Sequence, residues 1–213
     1  MRKVFYSVVK LKWDEPKDLS IFKSRDFELG DKEHFAPISY LLDANIEPND
    51  DILIITDVMQ TEEPLKNYEI LKKDMDDILI SHNAKATFVI IESPDPAKRD
   101  EMDSLTFSRY FKELSDYLQD GDRLYADMTF GMKCNIICSF IAMTYAVKAG
   151  VDVDVERLVY AERYNGDRKL TPEKRPTSDI IDITSLFYIS TLVNNAHPGQ
   201  KKSMDSFLKF MIG

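Results

Sequence analysis

The sequence predicts an α/β protein: a Rossmann-like, doubly wound, mostly parallel sheet with helices on both faces. Short apolar runs rich in β-branched residues alternate with longer segments of helical periodicity along most of the 213 residues. The runs are apolar on both faces, as in strands of a parallel sheet that is covered on both sides. The segments between them are long enough for the crossover helices that parallel strands need.

Six segments are predicted to be strands. They are residues 3–9, 51–57, 87–92, 123–127, 153–160 and 179–183. Helices are predicted where apolar residues recur every three or four positions, over residues 34–45, 65–81, 105–118 and 133–149. The helix over 133–149 is apolar nearly all round, which predicts that it is covered on most sides.

The predicted organisation is one Rossmann-like domain over residues 1–183, followed by a helical appendage or the start of a linker to an effector over residues 184–213. In the appendage, a Pro-Gly pair at 198–199 separates two helical segments. Residues 10–32 and 162–178 are charged and irregular, and we expect long surface loops there. In a compact domain such loops often carry function.

Composition restricts the class of protein. The net charge of −9 disfavours binding to duplex nucleic acid or to anionic lipid. The longest apolar stretch, residues 136–147, is too short to span a bilayer, and the charged N-terminus does not resemble a signal peptide, so a cytoplasmic protein is expected. The two cysteines, Cys134 and Cys138, are interpreted as core residues in a reducing compartment, and we expect neither a metal nor a cofactor.

A ligand is expected beyond the carboxyl ends of the strands, where loops lead into helix N-termini. The most informative loop runs from Asp127 to Lys133. Gly131 permits a tight turn, the following helix N-terminus favours an anion, and Thr129 and Lys133 can contact the same phosphate. The alternative is that Asp127 and Thr129 only cap the helix while Lys133 is solvated. Dinucleotide and nucleoside triphosphate motifs are absent from the sequence.

The segment YADMTFGMKCNIICSFIAMTYAVK, followed by VERLVYAERYNG and DIIDITSL, resembles the CRISPR-associated Rossmann-fold (CARF) proteins. In one branch of that family a strand ends in Asp-x-Thr-His-Gly-x-Arg and leads into a long apolar helix. Asp127, Thr129 and Gly131 match that pattern. Phe130 replaces the usual histidine, where it could stack on a base, and Lys133 replaces the usual arginine, which keeps the charge but loses the bidentate fork.

The resemblance implies a homodimer that binds a cyclic oligoadenylate across its two-fold axis and regulates a fused or separate effector. Two-fold symmetry suits the four-membered ring. Trp13 is a weaker candidate for ligand contact on a nominated loop. The candidate ligand-binding residues are Ser7, Val8, Lys10, Asp57, Met59, Gln60, Asp127, Thr129, Phe130, Gly131, Met132, Lys133 and Glu162.

Other functions remain open from sequence. A metal-independent ring nuclease would attack phosphorus with a ribose 2′-hydroxyl, and Ser7 and Lys133 are weak candidates for its catalytic residues. No histidine lies on a nominated loop, so an obvious general base is missing. A metabolic enzyme lacks a nucleophile or metal motif, and a winged-helix DNA-binding regulator would need a longer, basic C-terminal domain.

Overall fold

The structure, a computed structural model, describes residues 1–11, 21–98, 102–161 and 177–212. The strands within these ranges are β1 (Arg2–Val8), β2 (Ile21–Ser24), β3 (Asp51–Val58), β4 (Ala86–Glu92), β5 (Arg123–Asp127), β6 (Asp154–Ala161) and β7 (Thr177–Asp182). The helices are α1 (Pro37–Asn45), α2 (Glu62–Ser81), α3 (Ser104–Tyr117), α4 (Lys133–Ala149), α5 (Thr184–Asn194) and α6 (Lys201–Ile212).

The strands form one sheet in the order β2-β7-β6-β5-β1-β3-β4. Five of them, β6-β5-β1-β3-β4, run parallel, β7 is antiparallel to β6, and β2 is parallel to β7. The predicted Rossmann-like, mostly parallel sheet is therefore confirmed. The predicted strands and helices are all present, with ends that differ by a few residues at most.

Helices cover both faces of the sheet, and each face has its own apolar core. On one face, which we call the α1–α2 face, Phe5 and Ile54 pack against α1 and α2. On the other, the α3–α5 face, Tyr6 and Leu124 pack against α3, α4 and α5. Burial on both faces explains why the central strands are apolar throughout rather than alternating.

Three predictions from sequence need correction. The segment 10–32 was expected to be a loop, yet it contains β2, which pairs with β7 at the edge of the sheet. Helix α4 was expected to be covered on most sides, yet Ile137, Ile141 and Tyr145 are each at least half exposed. Cys134 is exposed and Cys138 only partly buried, so the interpretation of both cysteines as core residues is wrong for Cys134.

The appendage contains the two predicted helices. Phe187 of α5 is fully buried and stacks edge-on against Phe140 of α4, so α5 belongs to the α3–α5 face. Phe207 and Phe210 of α6 remain exposed. None of the helices in the described ranges combines the length and the apolar character that a bilayer crossing requires.

Candidate functional site

The candidate site lies where the direction of the chain across the sheet reverses. Strand β1 lies between β3 and β5. Strands β3 and β4 lie on one side of β1, and the strands that follow them in the chain, β5 and β6, lie on its other side. In open α/β sheets this switch point leaves a crevice beyond the carboxyl ends of the strands. A cleft opens there, and its lining comprises Ser7, Val8, Val9, Lys10, Phe22, Phe35, Ala36, Leu71, Asp127, Thr129, Phe130, Ala161 and Ser178.

The loop after β5 is fixed by local hydrogen bonds. The Thr129 N–H donates to Asp127 Oδ1 at 2.9 Å, and the Ala161 N–H, at the end of β6, donates to Thr129 Oγ1 at 2.8 Å. Thr129 Oγ1 accepts this bond, and the Thr129 hydroxyl also hydrogen-bonds to the Asp127 carboxyl, so the side chain is held within the loop. The loop therefore joins the ends of two neighbouring strands at the cleft.

Gly131 is required at its position for two reasons. Its φ is +100°, a left-handed conformation that residues with a Cβ rarely adopt. A Cβ atom added there would also lie 2.6 Å from Val8 Cγ1. The glycine thus lets the loop pass directly over the end of β1.

The loop ends at the N-terminus of α4, which suits an anion. Met132 is the N-cap residue, and its side chain makes no capping hydrogen bond, so it leaves the N–H groups of the first turn to other acceptors. Lys133 is exposed, the first turn holds no acidic residue, and Lys133 forms no ion pair within the described part of the chain. Positive charge is therefore concentrated at this point of an acidic protein.

Asp127 lies in the wall of the cleft, at the end of β5. Its side chain is buried, and burial raises its pKa to about 6, although the side chain and N–H of Thr129 and the N–H of Ile38 act in the opposite direction. Among the described residues, Oδ2 has no hydrogen-bond partner. The neighbouring Ser7 is also buried, and its hydroxyl is likewise unpartnered.

Phe130 and Lys10 lie together at the same cleft. The Lys10 ammonium lies 5.8 Å from the centroid of the Phe130 ring, and Phe130 packs against the core of the α1–α2 face. The ring is partly exposed, so one part of it remains available to a ligand, as the stacking hypothesis requires.

Asp57 lies on the opposite face of the sheet from the cleft. Alternate residues of β3 point to opposite faces, and Asp57 faces α3 and α4, where it accepts hydrogen bonds from Ser93 Oγ, from Tyr110 Oη at 2.6 Å and from Asn135 Nδ2 at 2.9 Å. Tyr6 Oη lies 2.7 Å from Tyr110 Oη. Burial raises the pKa of Asp57. The network ties the first turn of α4 to the sheet.

Several other candidate residues also lie away from the cleft. Met59 is buried after β3, and Gln60 is exposed, with its side-chain amide donating to the Val58 carbonyl at 3.1 Å. Met132 and Lys133 lie at the start of α4 rather than in the cleft lining. Glu162 and Trp13 fall outside the described residues. The cleft thus brings together Ser7, Val8, Lys10, Asp127, Thr129 and Phe130.

Sequence reasoning missed a cluster of two histidines and two aspartates beside the cleft. His34 Nδ1 lies 3.1 Å from Asp74 Oδ1, its Nε2 lies 3.6 Å from Asp43 Oδ2, and His82 Nε2 lies 2.8 Å from Asp43 Oδ1. Burial lowers the pKa of His34, but the two carboxylates outweigh it and raise the pKa above its ordinary value. Within the described ranges, no group of potential ligands could hold a metal ion.

The comparisons with known proteins add no relative. No protein-family model matches the chain, and no curated protein matches it at a significant level.

Proposed function

We propose that this chain binds a cyclic oligoadenylate, the four-membered ring, between two copies of itself, and that it is a sensor domain of type III CRISPR antiviral signalling. One observation carries the proposal: the loop from Asp127 to Lys133 joins a cleft at the switch point of the sheet to a helix N-terminus that its N-cap side chain leaves uncapped. Lys133 lies at this N-terminus and has no ion pair among the described residues. The same loop carries the resemblance to CARF proteins, which supports this choice of ligand.

The phosphates of the ring would lie at the N-terminus of α4. The Lys133 ammonium and the N–H groups of the first turn are the donors for an anionic oxygen there. The charge of the chain as a whole is −9, so this local set of donors explains how an acidic protein would select a polyanion.

The ring itself would lie over the edge of the sheet rather than inside the chain. The cavity volume of the cleft is about 30 Å³, counted as the space that the centres of water molecules can occupy. This volume holds one or two water molecules but no nucleobase. A tightly bound ligand normally has most of its surface covered. A second copy of the chain would supply that cover.

Helix α4 offers an apolar surface for the second copy. Ile137, Ile141 and Tyr145 follow one another at a spacing of four residues, so they form one stripe on the helix, and they are 57%, 50% and 54% exposed. Large exposed apolar patches mark interaction sites. We call Ile137, Ile141 and Tyr145 the α4 stripe.

The orientation of such a dimer follows from the ligand. A two-fold axis parallel to the two α4 helices would place their N-termini side by side, with two copies of Lys133 under one ring. A two-fold axis perpendicular to the two α4 helices would make them antiparallel and place their N-termini at opposite ends. The two ammonium groups would repel each other without an anion between them, so the ring should favour the dimer, and the dimer should favour the ring.

The binding experiment uses cyclic tri-, tetra- and hexa-adenylate, with calorimetry for affinity and chromatography for the fate of the ligand. We expect one ring to bind and to remain intact. Lys133→Ala should weaken binding by about 1–3 kcal/mol per site, which is typical for loss of a charge-assisted hydrogen bond. Lys148→Ala is the matched control, because Lys148 carries the same charge in the last turn of the same helix.

The outcomes separate the candidate functions. Absence of binding to every ring would refute the proposal, and an equal effect of the two lysine substitutions would remove Lys133 from the site. Linear products carrying a 2′,3′-cyclic phosphate would make the protein a ring nuclease instead.

The dimer is tested by sedimentation velocity with and without the ring that binds. Ile141→Asp in the α4 stripe should shift the protein to monomers and weaken ring binding. Ile80→Asp is the control, because Ile80 is 75% exposed on α2, which packs on the other face of the sheet. An unchanged dimer in Ile141→Asp would show that the two copies meet elsewhere.

A further inference from the structure

Two unpartnered polar atoms lie next to each other at the floor of the cleft. Ser7 of β1 and Asp127 of β5 are register partners in adjacent parallel strands, and both line the cleft. Each is 1% exposed, and within the described residues neither Ser7 Oγ nor Asp127 Oδ2 has a hydrogen-bond partner. Leaving a buried polar group unpaired costs roughly 1–3 kcal/mol, so a group from outside the chain is the natural partner.

Size and charge together define that group. The open space holds one or two water-sized groups, so a hydroxyl or an amino group fits and a ring does not. An ionised carboxylate only accepts hydrogen bonds, and Oδ1 of Asp127 already accepts the Thr129 N–H. Oδ2 therefore needs a donor, and it would repel a phosphate oxygen.

We propose that Asp127 Oδ2 and Ser7 Oγ form a subsite for a neutral hydrogen-bond donor of the ligand, a ribose hydroxyl or the amino group of adenine. This inference rests on the proposed function and deepens it. The donor enters the floor of the cleft while the phosphates remain at Lys133. The ligand is then recognised at two points of opposite character, an acceptor on the α1–α2 face and a cation at the start of α4.

The subsite makes binding depend on pH. A donor on Oδ2 stabilises the ionised carboxylate, so affinity should be constant well above pH 6 and should fall as the pH drops below it, because burial raises the pKa of Asp127 to about 6. The groups facing Asp127 are mostly uncharged: Ser7 on β1, Ala36 and Ile38 at the start of α1, and Thr129 on its own loop.

Two charged side chains lie further away and need a control. Lys10 lies beyond the Phe130 ring. His34 precedes the cleft residue Phe35, and its imidazole contacts Asp74 and Asp43 instead of Asp127. Any pH effect that arises from these residues should persist when Asp127 no longer titrates.

The test measures the affinity of the intact protein for cyclic tetra-adenylate by calorimetry between pH 5 and pH 8. In Asp127→Asn the amide oxygen takes the Thr129 N–H and the amide nitrogen replaces Oδ2, so an acceptor becomes a donor. We expect roughly a ten- to hundred-fold loss at pH 7.5 and no fall in affinity below pH 6. Ser7→Ala should cause a smaller loss, roughly three- to ten-fold.

Thr56→Val is the matched control. Thr56 pairs with Ser7 in the register of β1 and β3, and its hydroxyl is also buried and unpartnered, but it does not line the cleft. Its substitution should leave the affinity and the pH profile unchanged. Urea unfolding of each variant confirms that the loss of binding is not a loss of fold.

Ligand analogues identify the donor. A ring of 2′-deoxyadenosine should bind about as weakly as Asp127→Asn if the hydroxyl enters the subsite, and an inosine ring should do so if the amino group enters. Wild-type affinity in Asp127→Asn, with its pH profile retained, would overturn the subsite and leave only water there. Failure of the wild-type protein to bind any ring would overturn the proposed function itself, and the subsite with it.

Discussion

Replacing Gly131 by alanine should destabilise the protein through two separable effects. The residue has φ +100°, and a Cβ in the left-handed region costs about 1–2 kcal/mol. The new Cβ would also lie 2.6 Å from Val8 Cγ1 and 3.1 Å from Val8 Cβ, and overpacking of this kind costs about 1–3 kcal/mol. The expected total is about 2–5 kcal/mol of unfolding free energy.

The assay is urea unfolding, with Gly121→Ala as the control. Gly121 also has a positive φ, +80°, but nothing lies within 4 Å of its added Cβ. Its substitution should therefore cost only the backbone part, about 1–2 kcal/mol. The difference between the two variants measures the contact with Val8.

A double-mutant cycle with Val8→Ala tests the same contact directly. Alanine at position 8 removes Cγ1 and Cγ2, and leaves only the Cβ contact of 3.1 Å. Gly131→Ala should then cost less than in the wild-type background, with a coupling energy of about 0.5–3 kcal/mol. Equal losses for Gly131→Ala and Gly121→Ala, together with no coupling, would refute the close passage of the loop over β1.

Three further predictions concern buried charge. Asp57→Ala removes the buried acceptor that Ser93, Tyr110 and Asn135 share, so we expect urea unfolding to show a loss of about 2–5 kcal/mol. A loss below 1 kcal/mol would contradict the network. Asp127 has a pKa of about 6 in the folded state, above its unfolded value near 4, so the folded state binds the proton more tightly. The free energy of unfolding should therefore fall by roughly 3 kcal/mol as pH rises from about 4 to 6. Asp127→Asn should remove this part of the pH dependence of stability, and an unchanged pH dependence would contradict the prediction. His34 has a pKa raised above its ordinary value, so its stabilisation of the fold is complete below pH 6.5 and is lost as pH rises through the folded-state pKa. Thermal melts of His34→Gln across this pH range should lack that loss of stability. The same pH dependence as the wild-type protein would argue against the pairing with Asp74 and Asp43.

The sequence predicted most of the fold because local patterns determine it. The bounds of α4 and β5 are predicted to the residue, since a long apolar run follows Gly131 and a short one precedes it. Strand β2 was missed because its four residues, Ile21–Ser24, lie at the edge of the sheet and are mostly half-exposed. Such a strand depends on its partner β7 more than on its own periodicity.

The site was predicted less completely, for two physical reasons. Both faces of β3 are apolar, so its sequence pattern does not indicate which residues face the cleft. That Asp57 points away from the cleft follows only from the position of β3 in the sheet. The cluster of His34, Asp43, Asp74 and His82 joins residues far apart in the chain, and no local motif indicates such a contact. The loop from Asp127 to Lys133 could be proposed as a site from the sequence because its residues are consecutive.

The two faces of the sheet contribute different groups to the candidate site at the carboxyl ends of the strands. On the α3–α5 face, the amide of Asn135 binds Asp57, so the first turn of α4, and Lys133 with it, has a rigid support. On the α1–α2 face, Asp127 and Ser7 leave an acceptor and a hydroxyl open. A ligand that touches both must lie across the carboxyl edge, because the sheet separates the two faces. In the proposed complex, disturbing Asp57 should therefore weaken the phosphate contacts of Lys133, while the floor of the cleft should keep its preference for a hydrogen-bond donor.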